Sequence, residues 1–333
     1  MLAGAAGQAL AEARPDVRIT FLVKSEYADL VRGQPWVSDV WALAPGEERS
    51  PAGAARWRRR IAAAGFEAVV DLQTSPRSRA LLAGHPRVLA WRAERWERRR
   101  WVWLRFTRPT AVRPEWLRFF DAVTPLGVDP AAARPPHLAL PEAAVERARD
   151  WAAAWEEGPI VFLAPGARWA TKRWPEESFL VLSRTLTAAG ARVLVGGDAS
   201  DRVALPALAA WASREPRAHW FEGSLIDLAA AVALAKGAVT NDTGLMHLAA
   251  AVGVPVVALF GSTHPVLGFA PAGARNRVLA AGLSCQPCTL HGRARCPLGH
   301  HRCMRDFSPE TVLSTLRDLV PEVPGDRLSR LDH

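Results

Sequence analysis

The sequence predicts an α/β protein made of two doubly wound halves, and three observations carry that prediction. Short apolar runs rich in β-branched residues alternate with Ala-, Leu- and Arg-rich stretches of helical period, the pattern of strands feeding crossover helices in a parallel sheet. A proline-rich stretch at 129–141 (Pro130, Pro135, Pro136, Pro141) breaks this alternation and reads as a linker, after which the plan repeats. The chain has 333 residues, 49% hydrophobic and 23% charged, which suffices for two packed cores and excludes global disorder.

In the first half, covering 1–140, strands are expected at 18–23, 40–43, 68–71 and 88–91. Helices are expected near 4–13, 25–32, 53–64 and 76–83. In the second half, 141–333, a strand at 160–164 runs into a loop to Pro175, and the helix after it stops at Gly190, a residue suited to the left-handed turn. A strand at 192–195, a loop at 196–201 and a helix to Trp211 follow. Ser224, with Asp227 three residues on, opens a helix over 225–235 as an N-cap pair. A strand at 238–240, a helix at 245–252, a strand at 255–260 and a last helix at 309–319 complete the plan. Two such halves place a ligand cleft between them, at the carboxyl ends of the strands. Residue 1 already lies inside a helical pattern with no strand before it, so either the domain opens with a helix or a first strand and its loop are expected upstream of Met1.

Composition bounds the function. Four cysteines in this length exclude a disulfide-built scaffold. The longest apolar run, 248–260, is broken by Gly253 and Pro255 and is shorter than the ~18 residues a spanning helix needs. With no signal-peptide pattern at the start, the expectation is a soluble cytoplasmic protein. The net charge of +9 favours an anionic partner. Between Trp91 and Arg118 nine arginines face three glutamates, interleaved with Trp96, Trp101, Trp103 and Trp116. Nucleic acid, an acidic membrane surface or a phosphorylated sugar would suit that stretch, as would a surface helix whose tryptophans are core. No nucleic-acid motif accompanies it.

Two constellations carry the chemistry. Thr240-Asn241-Asp242-Thr243-Gly244-Leu245-Met246-His247 sits where a strand ends and a helix begins, so unpaired amides and the helix dipole offer a seat for phosphate. Thr243 adds a hydroxyl, Gly244 permits close approach, Asp242 can accept from sugar hydroxyls, and His247 lies one turn in. The plainer reading makes Asp242 an N-cap and His247 a satisfied half-buried residue. Pro165-Gly166-Ala167-Arg168-Trp169-Ala170-Thr171-Lys172-Arg173-Trp174-Pro175 likewise follows a buried strand. Arg168, Lys172 and Arg173 would there neutralise a leaving diphosphate, or simply form a solvated basic loop on Trp174. Lys172 is one of three lysines among 42 basic residues, and a compact ammonium does what a planar guanidinium does not.

Gly196-Gly197-Asp198-Ala199-Ser200-Asp201 is a third strand-end loop, either holding ribose hydroxyls or a solvated turn. Cys285, Cys288, Cys296 and Cys303, with two, seven and six residues between them, resemble part of a zinc site, or are reduced thiols stabilising a loop. Nothing in the pattern indicates a catalytic metal.

These two motifs, with Phe260-Gly261-Ser262-Thr263, Val69-Val70-Asp71-Leu72-Gln73 and Cys296-Pro297-Leu298-Gly299-His300-His301-Arg302-Cys303, resemble glycosyltransferase family 9, the ADP-heptose:lipopolysaccharide heptosyltransferases. The resemblance implies a GT-B fold of two Rossmann-like domains, acceptor on the first and ADP-sugar donor on the second. It implies inverting heptose transfer to the anionic lipopolysaccharide core, without metal or other cofactor and with no nucleic-acid partner, in the cytoplasm or peripherally at the inner membrane. Lys172 and Arg168 would lie by the diphosphate. Asp242, Thr243, Gly244 and His247 would contact diphosphate and heptose, and Asp201 the ribose. The family's general-base aspartate, on a Gly-Asp loop after the first strand, has no counterpart here, and Asp71 lies at a different strand end. No catalytic base is therefore assigned. The alternatives are a truncated form that binds donor without turnover, and another GT-B sugar-nucleotide enzyme such as an epimerase.

Overall fold

The computed structural model describes residues 1–91, 95–104 and 113–324, which divide into two units. One comprises 1–91 and 113–139; the other comprises 95–104 and 140–324. The arginine- and tryptophan-rich segment that follows Trp91 thus belongs in part to the second unit. Arg92, Arg105 and Arg108 of that segment lie outside the described residues.

The first unit opens with helix Gly4–Ala13, which buries Ala5, Ala6, Ala9 and Leu10. Strands β1 (Thr20–Lys24) and β2 (Asp39–Leu43) pair in parallel, Thr20 opposite Asp39. Strands β3 (Val69–Asp71) and β4 (Val88–Ala90) form a second parallel pair. Helix Pro51–Ala63 starts on a Ser50 cap and a proline, and packs Trp57 and Ile61 against Leu43 and Leu81. Strand positions match the sequence expectation to within two residues. The ladders, however, join as two separate pairs, the chain there supplying only short strands.

The second unit holds one six-stranded, all-parallel sheet. Its strands are β5 (Ile160–Ala164), β6 (Arg192–Val195), β7 (Ala218–Trp220), β8 (Gly237–Asn241), β9 (Val256–Phe260) and β10 (Asn276–Ala280). Their spatial order is β10-β9-β8-β5-β6-β7. Every residue of β5, β8 and β9 is buried, as expected for strands covered by helices on both faces. One side is filled by Phe179, Leu182 and Leu186 of helix Glu176–Ala188 and by Leu313 and Leu316 of helix Pro309–Leu319. Helix Leu225–Ala233, capped by Ser224 through the amide of Asp227, packs against helix Glu142–Ala153.

Chain order reverses between β5 and β8: successive strands run outward from β5 to β7 and from β8 to β10. The loops leaving the carboxyl ends of those two central strands therefore diverge, opening a crevice at the switch point. Both motifs singled out in the sequence leave from those two ends.

Candidate functional site

The loop after β5 and the turn after β8 are fastened together by one buried side chain. Asn241 donates from Nδ2 to the carbonyl of Pro165 at 2.6 Å and accepts on Oδ1 from the amide of Trp174 at 3.1 Å. Trp174 is 1% exposed, donates its indole N–H to the Phe307 carbonyl at 2.9 Å and meets Phe179 edge-on at 4.9 Å. The basic loop is thus rooted in the core rather than lying free on the surface. Its short 3₁₀ turn Ala170–Lys172 then lifts Lys172 over the end of β8.

There Lys172 Nζ lies 2.8 Å from Asp242 Oδ2, and Thr263 Oγ1 donates to the same oxygen at 2.7 Å. Both partners of the ion pair are largely shielded, at 15% and 10% exposure. Water screens such a pair little, so ammonium and carboxylate fix each other's position. The N-cap of helix Gly244–Ala251 is Thr243, and it makes no side-chain capping bond. Asp242 is therefore not the cap; it is committed to Lys172 and Thr263. The first-turn amides of this helix keep their donors, and a Cβ built on Gly244 would meet nothing within 4 Å. Thr243 Oγ1 and His247 Nδ1 are buried without a hydrogen-bond partner. Burial pushes the His247 pKa down to about 4 against the pull of Asp242, so the imidazole is neutral at physiological pH. A shielded ammonium, bare amides and two orphaned polar atoms around open space suit an anion with hydroxyls attached.

The other expected residues have partners of their own. Arg173 donates Nε to the Ala167 carbonyl at 2.7 Å and acts electrostatically on Asp198 and Asp201. Asp201 forms a capping box with Asp198 on helix Ala199–Ala204. Its carboxylate presses on Gly166, where a Cβ would come within 2.2 Å of it. Burial and the neighbouring Asp198 push the Asp201 pKa up. Asp201 thus stands at the ends of β5 and β6, where it caps helix Ala199–Ala204. Arg168 is exposed and stacks on Trp169 at 5.4 Å. Asp71 is a loop organiser: its carboxylate accepts from the amides of Gln73 and Thr74 and from Ser78 Oγ at 2.8–3.0 Å.

Sequence reasoning did not single out Asn241, Thr171 and Thr263 as site residues. All three stand inside quoted motifs, and the signal was a polar side chain at a strand end where burial is certain. Thr171 Oγ1 lies 2.8 Å from Ser262 Oγ and accepts from the amide of Arg293 at 2.8 Å, tying three loops beside Lys172. His291 and Arg98 also stand in this neighbourhood: burial lowers the His291 pKa, and the charges of Lys172 and Arg98 lower it further. On helix Arg95–Trp103, Arg98 is buried over the Phe269 ring at 5.0 Å, while Trp96 and Trp103 are 68% and 69% exposed. Trp91 and Trp116 are buried, so the tryptophans of this stretch divide between core and surface.

A family model described as glycosyltransferase family 9 (heptosyltransferase) matches residues 54–297. Lipopolysaccharide heptosyltransferase 2 of Salmonella typhimurium is 32% identical over 172 residues, 50% of this chain and 48% of the relative. Lipopolysaccharide heptosyltransferase 1 of Pseudomonas aeruginosa is 35% identical over 161 residues, 48% of this chain and 44% of the relative. The chain thus spans about half the length of the curated relatives it matches. Among solved structures, a glycosyl transferase family 9 protein from Veillonella parvula superposes with a TM-score of 0.77 at 19% identity, over 96% of this chain and 93% of the other. The E. coli ADP-heptose lipopolysaccharide heptosyltransferase II superposes with a TM-score of 0.70 at 23% identity, over 96% and 94%. The fold is GT-B, and the chain belongs to glycosyltransferase family 9, the heptosyltransferase family.

Proposed function

We propose that the protein transfers a heptose from ADP-heptose to the inner core of lipopolysaccharide, with inversion at the anomeric carbon and without a metal in the reaction. The observation that carries this reading is the shielded Lys172–Asp242–Thr263 cluster beside the bare start of helix Gly244–Ala251 at the switch point of the sheet. Relatives in the family are named for ADP-heptose and lipopolysaccharide, which supplies the donor and acceptor classes.

In this reading the diphosphate of the donor sits on the amides of Gly244 and Leu245 and accepts a further hydrogen bond from Thr243 Oγ1. Lys172 has three N–H donors, so it keeps Asp242 and still reaches a phosphate oxygen. As the anomeric bond breaks, negative charge grows on the departing phosphate, and a fixed ammonium in a shielded site stabilises that charge more than the ground state. Asp242 takes both its contacts on Oδ2, leaving Oδ1 for a heptose hydroxyl. Neutral His247 offers a nitrogen to the same sugar. Asp201 holds the ribose, residues 141–333 bind the donor and residues 1–140 the acceptor. The exposed Trp96 and Trp103 among arginines suit an anionic, membrane-bound acceptor at the cytoplasmic face of the inner membrane.

The test is a transfer assay with ADP-heptose and lipopolysaccharide truncated before its heptoses. Heptose should appear on the acceptor, ADP should be released in equal amount, and the rate should not rise on adding Mg²⁺ or Mn²⁺. ADP-heptose that binds in calorimetry but is never transferred would support the donor-binding, non-catalytic form instead. Absence of binding would remove the reading altogether.

A further inference from the structure

Two pairs of neighbouring residues face each other beside the ion pair. Thr171-Lys172 stands on the loop after β5, and Ser262-Thr263 on the loop after β9. The second residues of the pairs converge on one atom: Lys172 Nζ and Thr263 Oγ1 reach Asp242 Oδ2 at 2.8 and 2.7 Å. The first residues meet each other. Thr171 Oγ1 lies 2.8 Å from Ser262 Oγ, and the Ser262 amide donates to the Thr171 carbonyl at 3.1 Å. Thr171 and Ser262 are 2% and 1% exposed, so both hydroxyls must find their partners within the protein.

The Arg293 backbone closes the contact from a third side. Its amide donates to Thr171 Oγ1 at 2.8 Å, and its carbonyl accepts from the Thr171 amide at 3.1 Å and from Oγ1 at 3.0 Å. A hydroxyl has one proton and two lone pairs. With the Thr171 proton on the Arg293 carbonyl and one lone pair filled by the Arg293 amide, the other lone pair accepts from Ser262. The Thr171 hydroxyl therefore uses its whole hydrogen-bonding capacity on two other loops, and Ser262 is the donor in the 2.8 Å contact. The Cys288 amide donates to the Ser262 carbonyl at 3.0 Å, which ties the serine to the same segment that carries Arg293.

We propose that Thr171 and Ser262 are positioning residues for the diphosphate grip: their buried hydroxyl pair sets the spacing of the two loops, and so holds Lys172 and Thr263 on one oxygen of Asp242. This rests on the transfer reading above. Neither hydroxyl touches the donor; each acts through the residue that follows it. The peptide link between them is planar and stiff, so a displacement at Thr171 or Ser262 is passed to its neighbour. A lysine stem is flexible and does not fix an ammonium by itself. Charge growing on a leaving phosphate is stabilised best by a donor that needs no rearrangement at the moment of reaction. The hydroxyl pair supplies that fixity from the buried side of the two loops.

The test compares Thr171→Val with Thr171→Ser in the full chain. Valine keeps nearly the shape of threonine and removes the oxygen, stranding the Arg293 amide and the Ser262 hydroxyl, whereas serine keeps the oxygen. ADP and AMP affinities, and kcat and KM for transfer, are measured well below the unfolding midpoint of each variant. In Thr171→Val, ADP affinity should fall about tenfold while AMP binding holds, and kcat should fall roughly 10–100-fold, the scale of a displaced site group. Thr171→Ser should recover most of both. Ser262→Ala leaves Thr171 its Arg293 partners, so it should move the same quantities in the same direction by less, and it decides the matter if valine at 171 prevents folding. Variants that are destabilised yet keep the wild-type ADP-to-AMP ratio and kcat would overturn the proposal, because the hydroxyl pair would then serve folding alone. So would a serine at 171 that restores neither quantity. Wild type that binds neither nucleotide would overturn the transfer reading together with this one, and that failure is recognised before any substitution is made.

Discussion

Lys172 and Asp242 are the residues through which the site stands or falls, because each keeps the other from being a lone buried charge. Replacing Lys172 by alanine leaves the Asp242 carboxylate, 10% exposed, with Thr263 alone. Breaking one side of a shielded pair costs about 3 kcal/mol, to be read as a shift in denaturant midpoint. Transfer should fall by roughly 10²–10³-fold, the loss typical of one charge-stabilising donor. The double variant Lys172→Met/Asp242→Asn should regain most of the stability and none of the activity, which separates the two roles. Asn241→Ala removes two buried hydrogen bonds at once, orphaning the Trp174 amide and the Pro165 carbonyl. A loss of about 2–4 kcal/mol is expected in equilibrium unfolding. His247 gives a pH signature. Its folded pKa, pushed by burial to about 4, lies below the ordinary value of 6.5. The unfolded chain therefore binds the extra proton first. The stability that goes with the neutral imidazole is complete above pH 6.5 and drains away as pH falls toward 4. The total is about 3 kcal/mol, and His247→Asn should flatten that part of the profile.

At the scale of elements, the site depends on close approach between loops rather than on any one helix. A Cβ on Gly261 would come within 2.7 Å of the Thr171 carbonyl and of the Met304 side chain. Gly261→Ala should push the Lys172 loop outward, costing about 1–3 kcal/mol of stability and weakening ADP binding. Strands β5, β6, β8 and β9 were legible in the sequence because each is an apolar run bounded by turn residues. The final helix, Pro309–Leu319, was legible from its proline start and its spacing. Strands β7 and β10 escaped notice for a physical reason: Ala218-His219-Trp220 is short and edge-placed, and Asn276–Ala280 contains Asn276 and Arg277 on the other edge. Helix Glu142–Ala153 was hidden by the prolines just before it. The two motifs that build the site were readable as strand-end loops. What no spacing rule conveys is that Asp242 turns to Lys172 instead of capping its helix, or that Arg168 stacks on Trp169.

For the whole molecule, much of the net charge of +9 is concentrated between Trp91 and Arg118, where nine arginines face three glutamates. Helix Arg95–Trp103 combines arginines with exposed Trp96 and Trp103, and it groups with the unit that carries Lys172. Binding to vesicles containing anionic lipid should fall several-fold on Trp96→Ala/Trp103→Ala and weaken with salt, as an electrostatic contact with an aromatic anchor must. No described helix is long and apolar enough to cross a membrane. In the proposed function the second unit grips a diphosphate between Lys172 and the start of helix Gly244–Ala251. Calorimetric titration of ADP and of AMP into wild type and Lys172→Ala tests it most directly. Wild type should bind ADP at least tenfold more tightly than AMP, and Lys172→Ala should bring the two affinities together. An ADP-to-AMP ratio that is unchanged by the substitution would show that Lys172 does not hold the second phosphate.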